Sequence, residues 1–497
     1  MPQPNLIILV IRLDRTTGES QYALDERSDM TRPYWKPLFV FSAIAASPLL
    51  AHAEPTDAEL TALREQLQKQ QQIIEQQQQR LAALEQNNTD NWLSERRYQE
   101  VQAIVREVLA DAETRASLLQ DGLTAGYNRG FFIGNQENTY YLRVNPEFQF
   151  RYIYNTRDGE APDTDEDENG FQLRRTRLDF RGHAITPDLT YRLRFLSDRG
   201  DGSIDLDIAY VAYNLIDGLN IKVGQFKPLF AREENVAAFQ QIAVERSYAA
   251  DYFTIDRSQG VELVYSGWDN LRLSLAIHDG SYSADSEFNA DRTNFAIAGR
   301  VELLLAGDWK QFDDFSSWSK DKFGLLLGIA GGYERGEEGS GTNTPDIYKF
   351  TADVSVEVSG INVFVAGYLQ KFSDNDDPSL PSDLDDATQF GLVAQAGVFV
   401  IPDKLELFGR YEWIDFDGVY YRNNGAGTQS GTGNLAEDEL SLITFGANWY
   451  LVRHNAKFTF DVIWALDPVP VSNSGAGLLT SVDDDQVVLR AQWQFAF

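Results

Sequence analysis

Cysteine is absent from the 497 residues, so neither a disulfide framework nor a thiolate metal site is available. Histidine is scarce, with four copies. Beyond His52 they are His183, His278 and His454, on separate expected strands or turns, and no motif joins one to a serine at catalytic spacing. That argues against an enzyme. Basic residues are outnumbered by acidic ones, and a formal net charge of -32 excludes a nucleic-acid partner, whose phosphates would be repelled. Long apolar runs are also missing: the stretch Leu38 to Leu50 falls short of the roughly 20 residues a spanning helix needs. Glycine and aromatics are plentiful, and mean hydropathy is negative although apolar residues are common. Such a mixture suits alternation within strands, and one large β-barrel with an N-terminal appendage accounts for the length as well as several domains would. No cofactor is implied.

The apolar stretch follows Met30, Thr31, Arg32 and Lys36 and ends in Ala51-His52-Ala53, the small-x-small pattern of a secretory signal. Residues 1–53 therefore read as an upstream extension plus signal peptide, with Met30 as the start and cleavage after Ala53; a short membrane anchor is the alternative. Over residues 54–90 apolar positions fall on a heptad. Leu60, Leu67, Ile74 and Leu81 take one core position, and Leu63 and Leu84, with Gln70 and Gln77 between them, take the other. The Gln-rich surface also fits a disordered polar tract, but the regular Leu and Ile placement favours a coiled coil. Residues 91–125 read as a helical linker, broken by Asp121-Gly122 and Gly126.

From residue 126 to 497 the period becomes twofold, as expected of strands with one apolar and one wet face. On one strand Leu173, Arg175, Arg177 and Arg181 are expected to share a face, opposite Thr176, Leu178 and Phe180. On the next, Arg192 and Arg194 oppose Leu193 and Phe195. The repetition predicts about sixteen antiparallel strands of a transmembrane β-barrel, with short and long connections in alternation. One connection, 306–322, is long where a short turn is expected. Closure removes the open edge, whose unsatisfied backbone groups would each cost several kcal/mol in hydrocarbon. The last strand places Trp493, Phe495 and Phe497 on one face, the terminal signal that outer-membrane barrels offer their assembly machinery.

Several segments resemble the phosphate-selective porin O and P family. They are Ala125-Gly126-Tyr127 with Gly130-Phe131-Phe132-Ile133, then Gly170 to Leu178, Val223 to Pro228, Val244-Glu245-Arg246-Ser247, Gly260-Val261 and Phe445 to Leu451, in the family's order. The resemblance implies a sixteen-stranded porin, a homotrimer, in the bacterial outer membrane, with the coiled coil in the periplasm. Its solutes would be small hydrophilic molecules or ions, including anions such as phosphate.

In such a barrel Arg175, Arg177, Arg181, Arg192 and Arg194 are expected to line the pore, and Arg300, Lys349 and Arg410 are further candidates. A basic ladder would guide anions. Pairing with Asp179, Asp205, Asp207, Asp353 and Glu412 to brace the wall is the other reading of the same residues. The connection Leu229 to Arg257 is the candidate constriction loop implied by the resemblance, carrying Arg232, Glu233, Glu234, Glu245, Arg246 and Asp251. Its carboxylates outnumber its arginines, a departure from the family's lysine-rich constriction that argues against strong phosphate selectivity. The acidic stretches Asp163 to Glu168, Asp374 to Asp377 and Asp483 to Asp485 suggest cation-mediated contact with lipopolysaccharide, although the first lacks the spacing of an EF-hand. An anchor or tether built on the coiled coil is the alternative function.

Overall fold

The computed structural model describes residues 122–157, 167–197, 202–287, 293–336, 344–373, 384, 387–421, 433–434, 438–481 and 484–497, together with Gln72. The chain divides into two units, 1–101 and 102–497, and the second holds the fold described here. The signal peptide, nearly all of the coiled coil, the linker up to residue 121 and most of the acidic stretches lie outside the described residues.

A hairpin comes first, β1 (Leu123–Tyr127) and β2 (Phe131–Asn135). Strand pairing thus begins at Leu123, just ahead of the Gly126 boundary, because a five-residue strand is too short to display alternation. Then follow β3 (Tyr141–Thr156), β4 (Asp167–Ala184), β5 (Thr186–Ser197), β6 (Ile204–Ile216), β7 (Leu219–Phe226), β8 (Ser258–Tyr265), β9 (Leu271–His278), β10 (Phe295–Ala306), β11 (Gly324–Arg335), β12 (Asp346–Val358), β13 (Ile361–Ser373), β14 (Thr388–Ile401) and β15 (Leu405–Asp415). A small ladder of β16 (Val419–Tyr420) with β17 (Gly433–Asn434) interrupts them. The chain finishes with β18 (Glu439–Val452), β19 (Ala456–Ala465) and β20 (Val487–Ala496).

Each long strand pairs antiparallel with its neighbour in sequence, β15 pairs with β18, and β20 returns to β3 from Val487↔Thr156 to Ala496↔Glu147. Sixteen strands, β3–β15 and β18–β20, therefore close a barrel, which satisfies every ladder edge internally. β2 occupies the stretch of β3 that β20 does not reach, Tyr141 to Val144, and the Phe131 ring meets Phe497 edge-on at 5.7 Å.

Outward positions along these strands are exposed and apolar, for example Leu178, Leu193, Val211, Val301, Ile329, Phe445 and Phe460, as a lipid-facing wall requires. Trp493 and Phe495 stand among them, while Phe497 turns onto the hairpin. The turns at 185, 217–218, 266–270, 359–360, 402–404 and 453–455 are short and gather at one end, the periplasmic one by the usual asymmetry of outer-membrane barrels. At 359–360 both residues take positive φ, 37° for Ser359 and 100° for Gly360, the twist that a two-residue hairpin needs and that glycine supplies without strain.

The fold departs from simple alternation at Arg174. Gln149 opposes Arg175 while Phe150 opposes Leu173, so Arg174 is the extra residue of a bulge. A one-residue slip moves all that precedes it to the other face. Leu173 accordingly lies on the exposed outer face, not beside Arg175 as the twofold pattern predicts. A second bulge leaves Asp207 unopposed between Ile208 and Leu206.

Candidate functional site: the barrel interior

The connection between β7 and β8 folds into the barrel. It contains two short helices, α1 (Arg232–Asn235) and α2 (Tyr248–Phe253), and α2 begins at Ser247, whose Oγ accepts from the Ala250 N–H at 3.0 Å. Phe230, Val236, Ile242, Ala249, Tyr252, Phe253 and Ile255 form one buried cluster with the inward residues Ala298, Ala330, Phe364, Ala366, Val393, Phe408, Leu442 and Ile463 of the wall. Two inward glycines on β14 make room: a Cβ on Gly397 would stand 2.4 Å from Ile242 Cδ1, and one on Gly391 2.5 Å from Phe253 Cε2. This part of the inner wall is dry, in contrast to the wet face that alternation predicts. A second side of the barrel's apolar residues is buried under the loop.

The loop's charges are held by the wall and by one another. Glu245 receives Arg174 Nε at 2.5 Å, Arg175 Nη1 and Nη2 at 2.8 and 2.7 Å, and Arg151 Nη1 at 3.1 Å. Burial opposes ionisation of Glu245, but Arg174, Arg175 and Arg151 override it and hold the carboxyl well below the usual range. Glu233 accepts from the Ser247 N–H and Oγ–H at 2.8 and 2.6 Å and lies 3.5 Å from Arg410. Glu234 pairs with Lys227 and with Arg246, the latter at 3.0 Å. Arg246 also donates to the carbonyls of Glu233 and Val236. Arg232 donates to Ser355 Oγ at 2.7 Å and the Phe312 carbonyl at 2.8 Å. Asp251 accepts from Asn473 Nδ2 at 3.3 Å. The loop's carboxylate excess is therefore spent on anchoring it.

On β4 and β5 the expected arginines Arg175, Arg177 and Arg194 are buried, whereas Arg181 and Arg192 keep 42% and 25% of their side chains exposed. Arg177 lies 3.5 Å from Asp207, which also pairs with Arg194 and Arg257. Asp179 binds Arg192 through both oxygens at 2.9 and 2.7 Å and meets Arg181. Asp205 is exposed and has no part in this network, in contrast to its expected bracing role. Arg300, Lys349 and Arg410 are enclosed. Arg300 pairs with Asp353 at 2.7 Å, Arg410 with Glu412 at 2.8 Å, and Lys349 donates to the Thr254 carbonyl and Ser281 Oγ. They face the loop rather than open space.

The anomalous periplasmic connection, 307–323, has a physical reason for its length: it also turns inward. Phe312, Phe315 and Trp318 are buried, Phe315 against Phe364 at 4.8 Å and Trp318 against Phe399 and Tyr450. Ser316 Oγ lies 2.9 Å from Tyr450 Oη. Arg232 stacks over Phe312 and Phe315, joining the two inward segments. What remains at the periplasmic mouth is a cavity of about 720 Å³, lined by Arg129, Arg143, Asn145 and Arg181 on one side and by Asp308, Asp313 and Asp314 of the turn on the other.

Residues missed from the sequence include Arg151, Arg174 and the turn aromatics; the Arg174-Arg175 pair was the only local signal, and the bulge that sends both inward leaves no alternation to read. The structure brings His278 Nδ1 to 3.2 Å from Ser258 Oγ, a pairing no spacing announced. That nitrogen already accepts from the Gly280 N–H at 3.1 Å, so its lone pair is not free to serve Ser258 as a base.

Among solved structures, an anion-selective porin from Comamonas acidovorans aligns over 72% of this chain and 99% of its own at 12% identity, with a TM-score of 0.50. OprB of Pseudomonas putida aligns over 77% of this chain and 96% of its own at 10% identity, TM-score 0.49. The outer-membrane channel DcaP of Acinetobacter baumannii aligns over 75% and 100% at 11% identity, TM-score 0.47. No curated protein matches the sequence. The model of the family described as phosphate-selective porin O and P matches residues 144–497. With a closed sixteen-stranded barrel and that match over most of its length, this chain belongs to the phosphate-selective porin O and P family and is an outer-membrane channel rather than an enzyme.

Proposed function

We propose that the channel carries small hydrophilic solutes with a preference for anions, that Arg181 and Arg192 face its conducting path, and that the loop 227–257 constricts it. One observation carries this reading. The inner side of β3–β5 holds Arg143, Arg151, Arg174, Arg175, Arg177, Arg181, Arg192 and Arg194 against Glu147 and Asp179, with Glu168 and Asp188 toward the strand ends, and Glu245 and Asp207 reach it from elsewhere. A wall with more guanidinium than carboxylate raises the local concentration of anions. Phosphate selectivity does not follow, because the loop supplies arginines already bonded to its own carbonyls and carboxylates.

The porin reading outranks the tether because the chain's family is one of channels. Assembly as a homotrimer, contact with lipopolysaccharide through the acidic loops, recognition of the terminal Trp493, Phe495 and Phe497 by the barrel-assembly machinery, and a periplasmic coiled coil complete the proposal. The last is supported by β1 lying at the end with the short turns. The test is the reversal potential of the refolded chain in a planar bilayer under a KCl gradient. A chloride-leaning potential supports the reading, and a potassium-leaning one rejects it.

A further inference from the structure

The β1–β2 hairpin lies outside the sixteen barrel strands and outside residues 144–497 matched by the family model, yet it shares the barrel's outer face. Directly opposed residues of antiparallel strands point the same way. One such row runs Ala125, Ile133, Leu142, Gly182, Tyr191 and Val211, so Ile133 faces outward with the lipid-facing Val211. Leu123, Tyr127 and Phe131 stand two residues along from members of that row and share its face. Leu123, Tyr127, Phe131 and Ile133 are 42%, 56%, 54% and 52% exposed, the range of barrel outer residues such as Val301, Ile329 and Phe460 at 47%, 54% and 51%. Ring contacts cross the junction without a gap: Phe495 meets Phe497 at 4.9 Å, Phe497 meets Phe131 at 5.7 Å, and Phe131 meets Tyr127 at 5.6 Å.

A polar turn, Asn135 to Thr139, marks the lower end of this face. Asn135 Oδ1 accepts the Thr139 and Tyr140 N–H groups at 2.9 Å each, and its Nδ2 donates to Thr139 Oγ1 at 2.6 Å. Apolar strand face, tyrosine and polar turn, in that order, are how an outer-membrane wall passes from hydrocarbon to water. Gly182 interrupts the outward row between Leu142 and Tyr191, because a Cβ there would collide with the Tyr141 carbonyl. Beside that gap a groove of about 230 Å³ runs between the hairpin and the β4–β5 turn, lined by Leu123, Ile133, Tyr140, Leu142, Ala184 and Tyr191. Two polar side chains at it are bonded already: Tyr191 Oη donates to the Tyr141 carbonyl at 3.2 Å, and His183 Nε2 lies 2.9 Å from the Asn138 carbonyl. Apolar walls whose polar neighbours are bonded elsewhere favour hydrocarbon over a polar ligand.

We propose that the outward face of the β1–β2 hairpin lies in the periplasmic leaflet of the outer membrane, and that the groove beside it seats an acyl chain of a phospholipid of that leaflet. The lipid-facing wall continues into this face through Phe495, Phe497 and Phe131, and that continuity identifies the occupant as hydrocarbon rather than a protein. The hairpin thereby extends the lipid-contacting wall beyond the sixteen strands. This concerns the outside of the barrel and holds whichever ion the lumen prefers.

The chain has no cysteine, so Ile133→Cys accepts a single fluorophore. The refolded full chain, checked for a heat-modifiable folded barrel, is placed in phosphatidylethanolamine vesicles that contain phosphatidylcholine carrying a nitroxide near the headgroup end of one chain. Leu407→Cys on the exposed outer wall and Lys320→Cys on the exposed part of the turn 307–323 serve as lipid and water references. The label at 133 is expected to be quenched by the lipid nitroxide as strongly as that at 407 and, unlike that at 320, to resist aqueous iodide. Native mass spectrometry of the unlabelled chain after detergent exchange is expected to show retained phospholipid, and Ala184→Trp, which fills the groove, is expected to lose it while the label at 407 stays quenched. Quenching at 133 by iodide but not by lipid puts the hairpin in water and overturns the proposal. Protection from both quenchers assigns the face to a protein neighbour and overturns it equally, with disulfide-linked pairs of Ile133→Cys chains identifying a second copy. A folded Ala184→Trp that retains as much phospholipid as wild type overturns the acyl-chain seat.

Discussion

The inner wall of this barrel is two surfaces. Along β3–β5 it is a field of guanidiniums, sparsely answered by Glu147, Asp179, Asp207 and Glu245, and open to water near Arg181. Along β10–β19 it carries Ala298, Ala330, Phe364, Val393, Phe408 and Leu442, covered by the loop 227–257 and, at the periplasmic end, by the turn 307–323. Charged residues on that side, such as Arg300, Asp353, Arg410 and Glu412, are paired at short range and enclosed. The difference teaches that a barrel's inner face need not be uniformly wet: apolar burial holds the inserted segments on one side, which confines solutes to the charged side.

The contrast can be tested from the strongest effect downward. Glu245→Gln is expected to act most, since it strips the carboxylate from Arg151, Arg174 and Arg175, and breaking a buried ion pair by one partner costs about 3–5 kcal/mol. Urea unfolding in detergent should show that loss, and the reversal potential should shift further toward chloride. The same group sets a pH expectation. Its folded pKa is depressed, so its stabilisation is present above the unfolded carboxylate value and fades only as pH falls through the lower folded one. Single-channel conductance should therefore hold steady from neutral pH down to the ordinary carboxylate range and change only in stronger acid.

Gly397→Val attacks the dry side. Its Cβ would meet Ile242 Cδ1 at 2.4 Å, and overpacking of this kind costs about 1–3 kcal/mol. Displacement of the loop should appear as larger, noisier conductance. The smallest effect is expected for Arg157→Ala, which removes a 3.1 Å pair with the largely exposed Glu168; such surface pairs contribute about 0–1 kcal/mol. Unfolding midpoints of variant and wild type should nearly coincide. A large shift there would mean that the charged side extends beyond the barrel rim.

Much of the barrel was legible beforehand. Sixteen apolar-polar repeats and the parity of short and long connections marked the strands, because each lipid-facing residue must be apolar and each turn must reverse the chain. Arg181 and Arg192 could be assigned an inward face for the same reason. Leu173 could not, because the bulge at Arg174 changes face without changing composition. Asp205 and Asp207 look equivalent in sequence, but the second bulge turns Asp207 toward Arg177, Arg194 and Arg257, whereas Asp205, one residue from the start of β6, stays in solvent.

By itself, then, the sequence determined the strand count, the lipid-facing positions of strands without a bulge and the acidic-basic makeup of the loop, since these follow from period, turn chemistry and charge. Tertiary structure decided which carboxylate meets which arginine, why 307–323 is long, and that β2 continues the wall below β20. It also set Arg129, Arg143 and Arg181 around one cavity. Those outcomes depend on residues far apart in the chain that meet only when the barrel closes, and local periodicity carries no information about such meetings.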